Sequence, residues 1–322
     1  RSVCNPQVTD KHDRGLACIT CISYLIFSSF FFDADVATSL AMRLIPRVAS
    51  LRRWCSTAAL PRPPKVVFVT GGADGIGRAI CDSFLSDGAT VYAFDVDGEM
   101  LRCAAAEVAD WSRTPLLRTI QGDASCAADV NAAVARIVAE SDGAIDVVVN
   151  NCAIQPPESC VPIHTLSEEH WDRLLAVNLT SIYRTSRAAL PHMLANGRGG
   201  SIINIASVQG LQSMPNVPAY AASKGAALSL TRQMALDYGA SNIRVNAISP
   251  GTIRTALVER LDAAGTGPSI AEQGGNYPLQ NRIGEPREVG DVAVFLASEK
   301  ASFITGENIV VDGGIMAQGG WA

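Results

Sequence analysis

Tyr220 and Lys224 stand four residues apart in a run rich in Ala and Leu. That spacing stacks two side chains on one face of a helix, one turn apart. A phenol is a poor base at neutral pH, with an ordinary pKa near ~10. A neighbouring ammonium favours the phenolate and is expected to lower that value, so that Tyr220 exchanges protons with an alcohol or ketone. Ser207 ends the apolar run 201–206 and offers a hydroxyl to the same oxygen. Tyr-x-x-x-Lys also arises by chance on surface helices, so the assignment depends on what precedes it.

What precedes it is a cofactor-binding pattern. Residues 65–70 form an apolar run long enough for a buried strand, followed by Gly71-Gly-Ala-Asp74-Gly75-Ile76-Gly77 and then a helical run. Small residues let the backbone approach a diphosphate, and the helix N-terminus supplies N–H groups and positive dipole. A glycine loop alone is weak evidence; the strand before and the helix after strengthen it. A second strand, 90–95, ends in Asp95, placed to accept both hydroxyls of an adenosine ribose. Val96 follows it, and Asp74 lies in the glycine loop, so a 2′-phosphate would meet carboxylates there; NAD is expected over NADP.

The alternation continues with a strand at 116–121, a helix at 127–140 and a strand at 145–150. A long helix is expected from its cap at Ser167 to about residue 196, with Asn178 mid-way as a surface residue or a water-bridging one. A fifth strand spans 201–207, a helix begins near 219, and a sixth strand spans 243–249. Residues 252–285 show weak periodicity and are expected as an irregular, mobile lid over the substrate. A helix starts at Pro286, and 308–312 is the last strand. Seven strands separated by helices imply an α/β fold: a single Rossmann-type, doubly wound domain over 65–322 with a seven-stranded parallel sheet.

Residues 1–64 are expected to lie outside that domain as a disordered extension. The apolar run 16–32 is short of the ~20 residues that span a bilayer. From Met42 to Lys65 there is no Asp or Glu, while Arg43, Arg47, Arg52, Arg53 and Arg62 recur beside a helical apolar stripe. That is the pattern of a mitochondrial transit peptide, the alternative being a basic tail on a cytoplasmic protein. With Met42 as the start, residues 1–41 would be absent from the cellular protein.

The 322 residues are 48% hydrophobic with 27 glycines, which suits a compact α/β protein. A net charge of −5 offers no basic surface for nucleic acid, and no membrane partner is expected. The nine cysteines and four histidines show no metal-ligand spacing, so no metal is expected.

Over 65–314 the chain resembles the short-chain dehydrogenase/reductase family. The resemblance is carried by Thr70-Gly71-x-x-x-Gly75-x-Gly77, Asp123, Asn150-Asn151, Asn178, Ser207, Tyr220-x-x-x-Lys224 and Pro250-Gly251. It implies a catalytic tetrad: Tyr220 as acid/base, Lys224 binding the nicotinamide ribose and lowering the tyrosine pKa, Ser207 orienting the substrate oxygen, Asn178 holding a relay water. It also implies cofactor contacts from Asp123, Ala124 and Asn151 near the adenosine and from Ile253 and Thr255 near the nicotinamide. A homotetramer or dimer through the helices carrying Asn178 and Tyr220 is the further expectation.

The chain departs from the family's Asn-Asn-Ala-Gly with Asn150-Asn151-Cys152-Ala153. Ala153 is expected to crowd the backbone beside the cofactor, and Cys152 either fills space or is redox-sensitive. The activity implied is hydride transfer between NAD and a small, sugar-like or cyclic secondary alcohol or ketone. The alternatives are a 3-oxoacyl thioester reductase, favoured if Arg254, Arg260, Arg282 and Arg287 form a basic cluster at the lid, and a non-catalytic NAD(H)-binding sensor.

Overall fold

The computed structural model describes residues 64–109, 117–265 and 269–318. The apolar run 16–32 and the basic segment after Met42 lie outside the described residues. Strands β1 (Val66–Thr70), β2 (Thr90–Asp95), β3 (Leu117–Gln121), β4 (Val147–Asn150), β5 (Gly200–Ile205), β6 (Ile243–Pro250) and β7 (Asn308–Val311) form one sheet. Its order is β3-β2-β1-β4-β5-β6-β7 and every pairing is parallel. The chain therefore reverses direction across the sheet between β1 and β4, which leaves a crevice at their C-terminal ends.

Nine helices connect these strands among the described residues: α1 (Gly75–Ser86), α2 (Gly98–Ala109), α3 (Ala127–Glu140), α4 (Glu168–Leu175), α5 (Ser181–Asn196), α6 (Pro218–Tyr238), α7 (Ala256–Ala263), α8 (Ile270–Gly275) and α9 (Pro286–Ala297). Parallel strands covered on both faces need apolar residues at every position, and all of β1 and β4 is buried. Val67 and Val69 face one layer, with Ile80 and Phe84 of α1 and Val289 and Leu296 of α9. Phe68 faces the other, with Val130 and Ile137 of α3 and Leu190 and Met193 of α5. Full burial of a side chain such as Phe84 stabilises by roughly 1.5–3 kcal/mol.

Three expectations about elements are corrected. The long helix after Ser167 is broken by a wide π turn, Ala176–Thr180, with Asn178 in its middle. The fifth strand stops at Ile205, and Ser207 instead caps a short 3₁₀ turn by accepting the Gln209 N–H at 3.1 Å. The stretch 252–285 is not irregular throughout. Thr255 caps α7, and Ser269 with Glu272 closes a reciprocal capping box on α8. No helix among the described residues is long and apolar enough to cross a membrane.

Candidate active site

The crevice is a cleft of about 360 Å³. It is lined by every candidate catalytic or cofactor residue named above except Asn178. At its floor the glycine loop turns sharply. Gly71 has φ of +64°, a left-handed conformation that favours glycine. A Cβ on Gly77 would stand 1.8 Å from the Gly71 carbonyl oxygen and 2.5 Å from Asn151 Nδ2. Asp74 caps α1, its Oδ1 accepting the Gly75 N–H at 2.7 Å.

Asn151 follows β4, and its side chain serves the loop: Nδ2 donates to the carbonyls of Thr70 and Gly71 at 3.1 and 3.0 Å. Asp95 does likewise from β2, with Oδ2 accepting Ala73 N–H and Oδ1 accepting Asp97 N–H, both at 3.1 Å. A carboxylate has about four acceptor sites, so two remain open to the cleft. Asp123 is held by the N–H and hydroxyl of Ser125, both at 2.7 Å. Burial pushes its carboxyl up, yet these hydrogen bonds outweigh it and the pKa is lowered. Ala124 beside it is buried. Thr255 lies over the loop, its Cγ2 3.2 Å from where a Cβ on Gly75 would stand, and Ile253 is buried behind it.

At the other end of the cleft, Lys224 is buried and donates from Nζ to the Ile205 carbonyl at 2.8 Å. Its Nζ lies 5.6 Å from the centre of the Tyr220 ring. Burial brings the ammonium pKa down to about 8. The expectation that Lys224 lowers the Tyr220 pKa is corrected. Burial dominates and raises the phenol above its ordinary value, and a hydrogen bond with Ser207 offsets part of this. Asn178 is fully buried rather than a surface residue. Its Oδ1 accepts Ile154 N–H at 2.8 Å, and its Nδ2 donates to the Ile154 carbonyl at 2.9 Å and to Ser223 Oγ at 3.4 Å. Ser223 Oγ in turn donates to the Tyr220 carbonyl at 2.7 Å. The side-chain amide thus ties Ile154 to α6 through both Nδ2 donors, and Oδ1 keeps one acceptor site open.

Ala153 lines the cleft and does not adopt positive φ, so its backbone conformation does not require glycine. Cys152 lines the cleft, and burial pushes its thiol up to about 11, helped by the charge of Asp95. A thiol so rarely ionised is a poor nucleophile and a slow target for oxidation. The lid arginines do not form a basic cluster. Arg254 pairs with Glu285 at 3.1 Å, Arg282 with Glu288 at 2.8 Å, and Arg287 with Asp291 at 3.6 Å.

A glycine loop, the Asp95 carboxylate and a Ser–Tyr–Lys group thus share one cleft, and sequence comparison accounts for the combination. A family model described as enoyl-(acyl carrier protein) reductase matches residues 71–316. A 2-(R)-hydroxypropyl-CoM dehydrogenase of Xanthobacter autotrophicus is 40% identical over 254 residues, covering 79% of this chain and 99% of that protein. The chain belongs to the short-chain dehydrogenase/reductase family.

Solved members of this family share its shape. An aldohexose dehydrogenase of Thermoplasma acidophilum matches with TM-score 0.70 and 36% identity, covering 80% of this chain and 96% of that one. A 3-ketoacyl-(acyl-carrier-protein) reductase from Brucella melitensis, complexed with NADH, matches with TM-score 0.70 and 30% identity, covering 78% and 98%. As a short-chain dehydrogenase/reductase the chain is an oxidoreductase of CH–OH groups, and its family draws on NAD(P). The residues present fit such a cofactor: the loop leaves no room for a side chain at Gly77, and Asp95 keeps free acceptor sites.

The tight loop makes one substitution informative. In Gly77→Ala the methyl meets backbone oxygen, which cannot swing away as a side chain would. Overpacking of this kind costs about 1–3 kcal/mol. The expected result is a folded protein by circular dichroism, with a lower melting temperature and cofactor affinity weakened by roughly 5- to 150-fold, since each ~1.4 kcal/mol is a factor of ten. Wild-type affinity in a fluorescence titration would show that the loop is looser than its geometry.

Proposed function

We propose that this short-chain dehydrogenase/reductase interconverts a small secondary alcohol and its ketone, with NAD(H) preferred to NADP(H). The observation that carries the reading is the contact of Tyr220 with Ser207, beside the buried Lys224, in the cleft that holds the glycine loop. Tyr220 exchanges the proton with the substrate oxygen. Its raised pKa keeps the phenol protonated at neutral pH, which suits proton donation to a ketone. Ser207, which gives two of its three hydrogen-bonding sites to Gln209 N–H and Tyr220, orients that oxygen with the third. Lys224 binds the nicotinamide ribose and supplies positive charge behind the phenol. Asn178 is a positioning residue, joining the Ile154 backbone to α6 through Ser223. The nicotinamide, when bound, gives or takes the hydride.

A small substrate is favoured over an acyl carrier protein because three of the four lid arginines are neutralised by their own carboxylates. A sensor without turnover has no use for Ser207 against Tyr220. Exposed Tyr183 and Leu194 on α5 and Leu236 on α6 support assembly into a dimer or tetramer through those helices. The acid-free arginine segment after Met42 supports a mitochondrial location. The test of the activity is a panel of cyclic and open-chain secondary alcohols, sugars and 3-oxoacyl thioesters, followed by nicotinamide absorbance. Turnover is expected with the alcohols and their ketones, and turnover confined to acyl thioesters would replace the reading.

A further inference from the structure

The fourth lid arginine differs from the other three. Arg260 is exposed, lines the cleft and has no carboxylate partner among the described residues. Its place on α7 says which end of the cleft it serves. Thr255, at the N-terminus of α7, sits against Gly75. Arg260 is five residues further on, roughly 7 Å along the axis at ~1.5 Å per residue. Leu257 is three residues before it, on the same face, and also lines the cleft. The carboxylates among the lining residues, Asp74, Asp95 and Asp123, follow β1, form the end of β2 and follow β3. Leu257, Val258 and Arg260 thus make an apolar stretch of the lining that ends on a guanidinium, and the lining carboxylate on that side is Asp74, next to the Gly75 that Thr255 touches.

We infer that Arg260 reads an anionic group on the substrate, a carboxylate or similar oxyanion, separated from the carbinol carbon by a short apolar spacer. This rests on the alcohol–ketone reading and narrows its substrate class. A guanidinium with free N–H donors matches such an oxyanion bidentately. Leu257 favours methylene groups between that anion and the reacting carbon. Docking of an acidic carrier protein would call for several free cations, and the lid offers one.

The test compares matched ketones on the full chain with NADH: the oxoacids from 4-oxopentanoate to 7-oxooctanoate against their methyl esters. At one chain length the acid is expected to exceed its ester roughly 10-fold in kcat/KM, the low end for a charge-assisted hydrogen bond because Arg260 is exposed. The preference should shrink as salt is raised. Arg260→Gln should abolish the acid-to-ester ratio, and Arg260→Lys should keep part of it. Equal use of acids and esters by the wild type overturns the inference. So does an equal fall for both in Arg260→Gln together with weaker NADH binding by fluorescence, which would assign Arg260 to the cofactor. Turnover of no ketone of any kind overturns the alcohol–ketone reading itself, a result distinct from either.

Discussion

Replacing Tyr220 by phenylalanine lowers turnover by roughly 10²–10⁴-fold, the usual loss when a positioned general acid–base is removed. The ring remains, so the wall of the cleft keeps its shape and the nicotinamide cofactor still binds. The raised pKa adds a spectroscopic arm. Because burial disfavours the phenolate more than Ser207 restores it, Tyr220 in the protein alone should not ionise below its ordinary value of ~10. The wild-type minus Phe difference in tyrosinate absorbance should therefore stay flat through neutral pH. Lys224 behaves oppositely: with its pKa lowered to about 8, it is charged below that pH and neutral above. Near-normal turnover in the Phe variant would sink the mechanism, and a tyrosinate signal at neutral pH would restore the cation-lowered phenol expected from spacing.

The second large effect is cofactor choice. NAD(H) should exceed NADP(H) by roughly 100-fold or more in kcat/KM. A 2′-phosphate at the end of β2 would approach Asp95, while Val96 beside it is 65% exposed and offers no cation. The nearby Arg78 is already paired with Asp82 at 2.9 Å and Glu107 at 3.1 Å. Like charges brought together cost several kcal/mol, and about 3 kcal/mol corresponds to two decades. Because Asp95 also accepts Ala73 N–H, the cleaner variant is Asp95→Asn, which keeps an acceptor and removes the charge. It should narrow the ratio chiefly by weakening NAD. Comparable rates with NADPH and NADH in the wild type would show that Asp95 does not meet the ribose.

The strands were legible because a sheet covered on both faces writes itself as unbroken apolar runs, as in Val66 to Val69 and Val147 to Val149. The grouping of Ser207, Tyr220 and Lys224 was legible because one helical turn and the short stretch after one strand suffice to describe it. The π turn was not, since nothing in Ala176-Val-Asn-Leu-Thr180 distinguishes a wide turn from a regular one; Asn178 within it meets Ile154, 24 residues earlier, a contact that local spacing does not encode. Helix α8 could have been found from Ser269-x-x-Glu272, a capping box overlooked among glycines. The sign of the Tyr220 shift and the pairing of the lid arginines depend on burial and on partners brought in by the fold, which spacing does not encode.

The strand order also sets a timetable for synthesis. β1 pairs with β2 on one side and with β4 on the other, and Val67 meets Val147 eighty residues later in the chain. While β2 and β3 are being made, one edge of β1 stands open, and its side chains are all of the kind that end up buried. At ~5–20 residues per second that interval lasts roughly 4–16 s. Exposed apolar strand edges invite pairing with other chains. From β4 onward each new strand adds to the edge left by the one before. The same junction that opens the cleft is therefore the last contact to protect β1 on the nascent chain, and the interval before β4 emerges is when a chaperone has most to cover.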